Sequence, residues 1–221
     1  LALVSTAMSP FRPALLSALL LSTPALAGDL FSVGVGAHVL AGTNWLDASG
    51  SLAVPGYAGF RTGVGVSAEL RLLGIVGLEV DLVRSNDRGE GKVSLKGLPE
   101  VSSTVGQAAW HVPLLAKVVV PVVPLVKPFV VAGVDLVLPS GCSSIRVDCT
   151  AGSYRMWVGG VGAELALPVP VLDMVRIPLS LRYQQNQDAS ALATRTTADG
   201  STVRAEWGRD LHVTAGAVLL F

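Results

Sequence analysis

Apolar residues return at every second position through most of this chain, yet after residue 27 they never run unbroken for the length of a helix that crosses a bilayer. Strict alternation marks strands whose two faces meet different surroundings. The chain is 51% hydrophobic with a mean hydropathy of +0.58, which points to lipid as part of its solvent. A spanning helix needs about 20 consecutive apolar residues. The best stretch, 112–125, contains Lys117 and is cut by Pro113, Pro121 and Pro124. In hydrocarbon every backbone N–H and C=O must be satisfied within the protein, so a closed barrel is the alternative to helices. Twenty-four glycines and 5% aromatics suit strands and tight turns better than a helical bundle.

The alternation divides into eight segments: 30–45, 57–72, 75–84, 109–120, 126–138, 154–167, 175–185 and 207–221. Segments two and three meet at Leu73-Gly74, four and five across 121–125, and six and seven across 168–174. The other connections, 46–56, 85–107, 139–153 and 186–206, are longer and more polar. Short turns on one side and long loops on the other are expected of an outer-membrane barrel, with both termini on the short-turn side. The expected fold is all-β: an eight-stranded antiparallel up-and-down transmembrane β-barrel over 28–221. Ten strands would require an extra hairpin built on 92–98 and a partner.

The N-terminus reads as a secretory signal peptide spanning 1–27. Arg12 supplies the positive charge, 14–21 the short apolar core, and Ala25-Leu26-Ala27 the small-residue cleavage pattern. Met8 makes a more ordinary start than Leu1, and no lipobox cysteine follows the core. Removing Arg12 leaves 15 basic and 16 acidic residues, so no charge excess points to nucleic acid. Cys142 and Cys149 enclose six residues. In an exported chain they are expected to form a local disulfide, because CxxC spacing and a nearby His, the marks of redox or metal roles, are absent.

The aromatics fit the same topology. Trp45 ends an upward strand, and Trp110, Trp157 and Trp207 begin downward ones, which sets all four at the long-loop end. Tyr57, Tyr154 and Tyr183 fall at that level, and Phe31 and Phe221 at the other. Rings at both water–lipid boundaries form the girdles of such barrels. From Leu211 to Phe221 every odd position is apolar, while even positions carry Asp210, His212, Thr214 and Gly216. A last strand closed by an aromatic resembles the assembly signal of bacterial outer-membrane barrels. Pro113-Leu114-Leu115-Ala116-Lys117 followed by 127–133 (KPFVVAG) is similar to their central hairpin. Over 28–221 the chain thus resembles the OmpA/OmpX-like outer-membrane β-barrel domain family. The resemblance implies a bacterial outer-membrane location, contact with outer-membrane lipid, handling of the C-terminal strand by the barrel-assembly machinery, and seldom an enzyme.

Once faces are assigned, Val33, Val35, Ala37 and Val39 point outward, as do Ile177, Leu179, Leu181 and Tyr183. The inward set is His38, Glu69, Arg71, Glu79, Asp81, Lys117, Asp135, Glu164, Arg176, Arg182 and His212, with Gly34, Gly36, Gly63 and Gly65 making room. Eight strands enclose a space that side chains can fill, and buried charges need partners. Lys117 is therefore expected near Glu79 or Asp81, and Glu164 near Arg176.

The leading functional expectation is a non-enzymatic barrel with an ion-paired lumen, acting as a structural element or binding an unidentified extracellular or periplasmic ligand through its loops. No cofactor is expected. A small conduit for small or hydrophobic solutes is the alternative, favoured by any gap between strands near Pro113 or Pro178. A membrane-embedded hydrolase would use His38, His212 and Asp210, which closure of the first strand on the eighth would bring together. The histidines show no metal-site spacing, and Gly159-Gly160-Val161-Gly162 lacks the helix and lysine of a phosphate loop. A soluble lipocalin-like barrel would need polar outward faces.

Overall fold

The computed structural model describes residues 30–50, 57–93, 101–121, 125–144, 148–149, 152–166, 174–188, 193–196 and 202–221. The expected signal peptide, 1–27, lies outside them. The strands are β1 (Phe31–Gly50), β2 (Tyr57–Leu72), β3 (Val76–Val93), β4 (Val101–Val119), β5 (Val126–Ser144), β6 (Asp148–Cys149), β7 (Tyr154–Ala166), β8 (Val175–Asn186), β9 (Ala193–Thr196) and β10 (Thr202–Leu220). Eight of them, in the order β1-β2-β3-β4-β5-β7-β8-β10, form one antiparallel sheet that closes where β1 pairs with β10. Closure removes the sheet edges that lipid could not satisfy.

At the closing seam Val33 and Phe221 exchange backbone bonds of 3.0 and 2.8 Å, which ties the last residue into the ladder. Between β2 and β3 the chain reverses in a two-residue turn, closed by the Ile75 N–H on the Leu72 carbonyl at 3.0 Å. Leu73 and Gly74 have φ of 54° and 66°. Positive φ at both central positions is the twist that matches flanking strands.

The strands outrun their sequence-based bounds. β3 and β4 pair without interruption from Asp87↔Gln107 to Val93↔Val101, so most of the polar stretch 85–107 extends the barrel wall. β1 and β10 likewise pair out to Gly50↔Val203. Polarity there reflects water outside and a polar lumen layer inside, Ser85, Asp87 and Gln107 being buried, not loss of the strand. Among the described residues two further strands occur, the short β6 and β9, which pair with each other while β9 pairs with β10. Of the stretch 92–98 considered for an extra hairpin, residues 92–93 continue β3 and the rest lie outside the described residues.

Two rim irregularities re-aim side chains. The β4–β5 ladder passes from Ala108↔Gly141 to Ala109↔Pro139, leaving Ser140 as a bulge. The β1–β10 ladder passes from Trp45↔Arg209 to Leu46↔Trp207 around Gly208. Two prolines interrupt ladders deeper in the wall. β3–β4 pairing skips from Val80↔Leu114 to Val83↔His111 beside Pro113, and β10–β8 pairing skips from Ala215↔Leu179 to Val218↔Arg176 beside Pro178. Proline has no N–H for the ladder.

Candidate functional site in the lumen and at the outer rim

Side chains alternate across the wall as the pleat requires. Outward, Val35, Val64, Leu78, Val130, Val161 and Leu179 are exposed and form an apolar belt. Above it, Trp45, Trp110, Trp157 and Tyr183 are exposed at the outer rim, and Phe221 is exposed at the opposite end. Arg84 lies over the Trp110 ring, 5.4 Å from its centre. The side chains of Trp207 and Tyr57 lie outside the described residues. Tyr154 departs from the girdle: its side chain is buried, and its hydroxyl donates inward to Gln107 Oε1 at 3.4 Å.

In the lumen near the short turns four acids and three bases join in one network. Arg71, from β2, donates through Nε to Glu69 Oε1 at 2.6 Å and through Nη1 to Glu164 Oε2, on β7, at 2.8 Å. Lys117 Nζ, from β4, lies 3.1 Å from Glu79, 3.2 Å from Glu69 and 2.7 Å from Glu164. Its ammonium also sits 4.5 Å from the centre of the Phe129 ring. Arg182, from β8, donates to Asp81 Oδ2 at 2.8 Å and to Glu79 Oε1 at 2.6 Å. Glu164 thus bonds cations from farther round the barrel than Arg176, which lies opposite Ala166 and donates to the Val175 carbonyl at 3.1 Å. Leu115, Val119, Phe129, Val131 and Val158 form an apolar cluster alongside.

A second polar layer lies toward the long loops. Asp135 Oδ2 accepts from His111 Nδ1 at 2.7 Å, and His111 Nε2 stands 3.0 Å from Ser85 Oγ. The Ser85 hydroxyl donates to Asp87 Oδ2 at 3.0 Å. Arg61 stands 3.4 Å from Asp87 and 3.3 Å from Asp210, and donates to Gln184 at 2.8 Å. His212 Nδ1 donates to Asp210.

Sequence reasoning named His212 and Asp135 in this layer but left Arg61, Ser85, Asp87, His111 and Gln184 out of the lumen. The signal was present in parity. Continuing odd positions from Glu79 and Asp81 reaches Ser85 and Asp87. Odd positions back from Lys117 reach His111, and back from Glu69 they reach Arg61.

The hydrolase arrangement drawn from sequence is corrected by register. His38 lies opposite Gly216 and His212 opposite Gly42, four positions apart along the seam. The structure instead assembles Ser85, His111 and Asp135 in the connectivity of nucleophile, base and orienting acid. Their relative exposures are 0%, 1% and 0%. A reacting carbonyl has no approach to Ser85, whose hydroxyl proton is already given to Asp87. Among the described residues no cluster suited to a metal ion occurs. Cys149's side chain lies outside the described residues, so the expected disulfide does too.

The outer membrane protein β-barrel domain family matches this chain over residues 14–208. The chain belongs to that family. It is a β-barrel of the bacterial outer membrane, and its outward apolar belt faces lipid. Among solved structures it is similar to OprG from Pseudomonas aeruginosa, at 11% identity and a TM-score of 0.50, covering 86% of this chain and 95% of that one. It is also similar to Neisserial surface protein A, at 17% identity and TM-score 0.45, covering 86% and 97%. A third is the N-terminal β-barrel domain of P. aeruginosa OprF, at 14% and 0.44, covering 86% and 97%. The likeness to OprG is one of fold. Comparison with curated protein sequences gives no match.

Proposed function

We propose that this barrel is a non-conducting, non-enzymatic outer-membrane scaffold whose working surface is its outer rim, where the long connections meet an extracellular ligand. The observation that carries this reading is a pair of charge bridges across the full width of the lumen. β2 and β7 lie four strands apart in either direction round the barrel, as do β8 and β3. Arg71–Glu164 joins the first pair at 2.8 Å and Arg182–Asp81 the second, also at 2.8 Å. Such bridges are costly to open, because each would leave a desolvated charge unpaired. A cavity beside His38 and Pro178 measures about 20 Å³, room for a single water. Phe221, outward on the closing strand, serves in this proposal as the contact for the assembly machinery, and Cys142–Cys149 as a disulfide staple at the outer end.

The conduit reading is favoured by the interrupted ladders at Pro113 and Pro178. Against it stand the buried side chains just behind both gaps, Asp81 and Arg182 among them. Liposome swelling separates the two readings. Vesicles carrying the refolded protein are expected to swell in arabinose or glycine no faster than empty ones, and rapid swelling would overturn the scaffold reading. Hydrolysis of p-nitrophenyl esters that disappears in Ser85→Ala would overturn its non-enzymatic part.

A further inference from the structure

Above the belt, the outward parity of β3 changes character. Val76, Leu78, Val80 and Leu82 give way to Arg84, Asn86, Arg88 and Glu90. Arg84 is engaged at the belt's edge, over Trp110 and donating to Ser140 Oγ. Arg88, four residues on, is exposed and makes no side-chain hydrogen bond or ion pair among the described residues. At the strand rise of roughly 3.3 Å per residue, it stands about 13 Å along the strand from the girdle.

Beside Arg88 a groove of about 740 Å³ crosses the outer wall from β2 to β5; Phe60, Thr62, Asn86, Arg88, Ala108 and Gly141 are among its lining residues, and the buried Asp87 and Gln107 also border it. A narrower groove of about 280 Å³ shares Arg88 and leads on to Glu90. The main groove combines a guanidinium, a hydroxyl, an amide, an aromatic face and a small-residue wall. It lies on the lipid side of the barrel, immediately above the apolar belt. The polar headgroup zone begins at the girdle, so the lower end of the groove lies within it and Arg88 stands toward its outer limit.

We propose that this groove binds the phosphorylated sugar headgroup of an outer-leaflet glycolipid, with Arg88 as its phosphate contact. Guanidinium pairs well with phosphate through two parallel N–H bonds, while Thr62 and Asn86 offer bonds to sugar hydroxyls. A free phosphate would satisfy Arg88 equally. The lateral opening over the belt selects the lipid, whose acyl chains then lie along Val64 and Leu82.

The test uses the full chain refolded in detergent, with diphosphoryl lipid A, the same lipid lacking phosphate, and inorganic phosphate as probes. Arg88→Ala is expected to weaken diphosphoryl lipid A binding about tenfold. Gly141→Leu should weaken it similarly by filling the groove, since a Cβ there meets only the Ala108 Cβ at 3.9 Å. Both variants should keep heat-modifiable gel migration, which reports the barrel itself. Wild-type affinity in both variants overturns the proposal. So does equal binding of the lipid lacking phosphate, which removes the phosphate contact, or displacement of the lipid by equimolar inorganic phosphate, which assigns the groove to free anions.

Discussion

Arg182 Nη1 and Asp81 Oδ2 stand 2.8 Å apart, although β8 and β3 lie on opposite sides of the barrel. Neighbouring strands bond through their backbones, but opposite strands meet only through long side chains. Arg182–Asp81 and Arg71–Glu164 therefore span the lumen in a way that ladder hydrogen bonds do not, and in the proposed function they keep it closed. In a barrel of this size two arginines are enough to span the interior.

Lys117 is the hub of the inner layer, within 3.2 Å of Glu69, Glu79 and Glu164. Lys117→Met keeps the volume and removes the charge, leaving carboxylates to face one another with one cation fewer. A loss of about 3–5 kcal/mol is expected, read as a lower urea midpoint for the shift in gel migration. A loss below about 1 kcal/mol would mean that water, not protein, satisfies these carboxylates.

Leu73 occupies the left-handed region at φ 54°, where a side chain costs about 1–2 kcal/mol that Asn largely avoids. Leu73→Asn is expected to raise barrel stability by about 1 kcal/mol and to speed refolding if the β2–β3 hairpin forms early. A lower urea midpoint would show that Leu73 makes an apolar contact outweighing the backbone strain.

Gly42 lies on the closing seam, where an added Cβ would fall 2.3 Å from the Leu211 carbonyl oxygen and 2.5 Å from His212 Cα. Backbone cannot yield as a side chain does, so Gly42→Ala should cost about 1–3 kcal/mol. Gly159→Ala, with nothing within 4 Å, is the matched control and should be nearly neutral.

Period-two alternation carried most of this fold, because one face meets lipid and the other a filled interior. Val33 to Val39 and Ile177 to Tyr183 could be placed outward without coordinates. Strand ends were harder to read. Past Arg84 both faces of β3 meet polar surroundings, the contrast fades, and a strand continuing to Val93 looks like a loop. The same fading hid Ser85 and Asp87, whereas His111 lay on the inward parity of a strand already read. Lys117 beside Glu79 was legible from adjacent strands, but the pairings of Arg71 and Arg182 were not, because both reach across the barrel to strands far from their neighbours. Where both partners were read from adjacent strands, as with His38 and His212, the offset depended on a register that alternation alone does not set.

Beyond the girdle, the Arg155 guanidinium donates to Asp188 at 3.1 and 3.2 Å, and the Arg155 backbone N–H donates to the same carboxylate at 2.9 Å. These bonds hold the Asp188 carboxyl below its ordinary range. Their contribution is fully present above the unfolded carboxylate pKa of about 4 and is lost as pH falls through the lower folded value. Amide exchange at Arg155 should thus be pH-independent in protection from about 5 to 8 and lose protection in acid, with Asp188→Asn unprotected throughout. High salt should shrink the difference, since the pair is exposed.

Current across a planar bilayer is the most direct measure of a lumen closed by opposed charge bridges. The wild-type barrel, inserted in folded form, is expected to give no stepwise conductance, whereas Arg182→Ala combined with Asp81→Ala should give brief openings. Stable, long-lived conductance steps from the wild-type protein would contradict the closed-lumen scaffold.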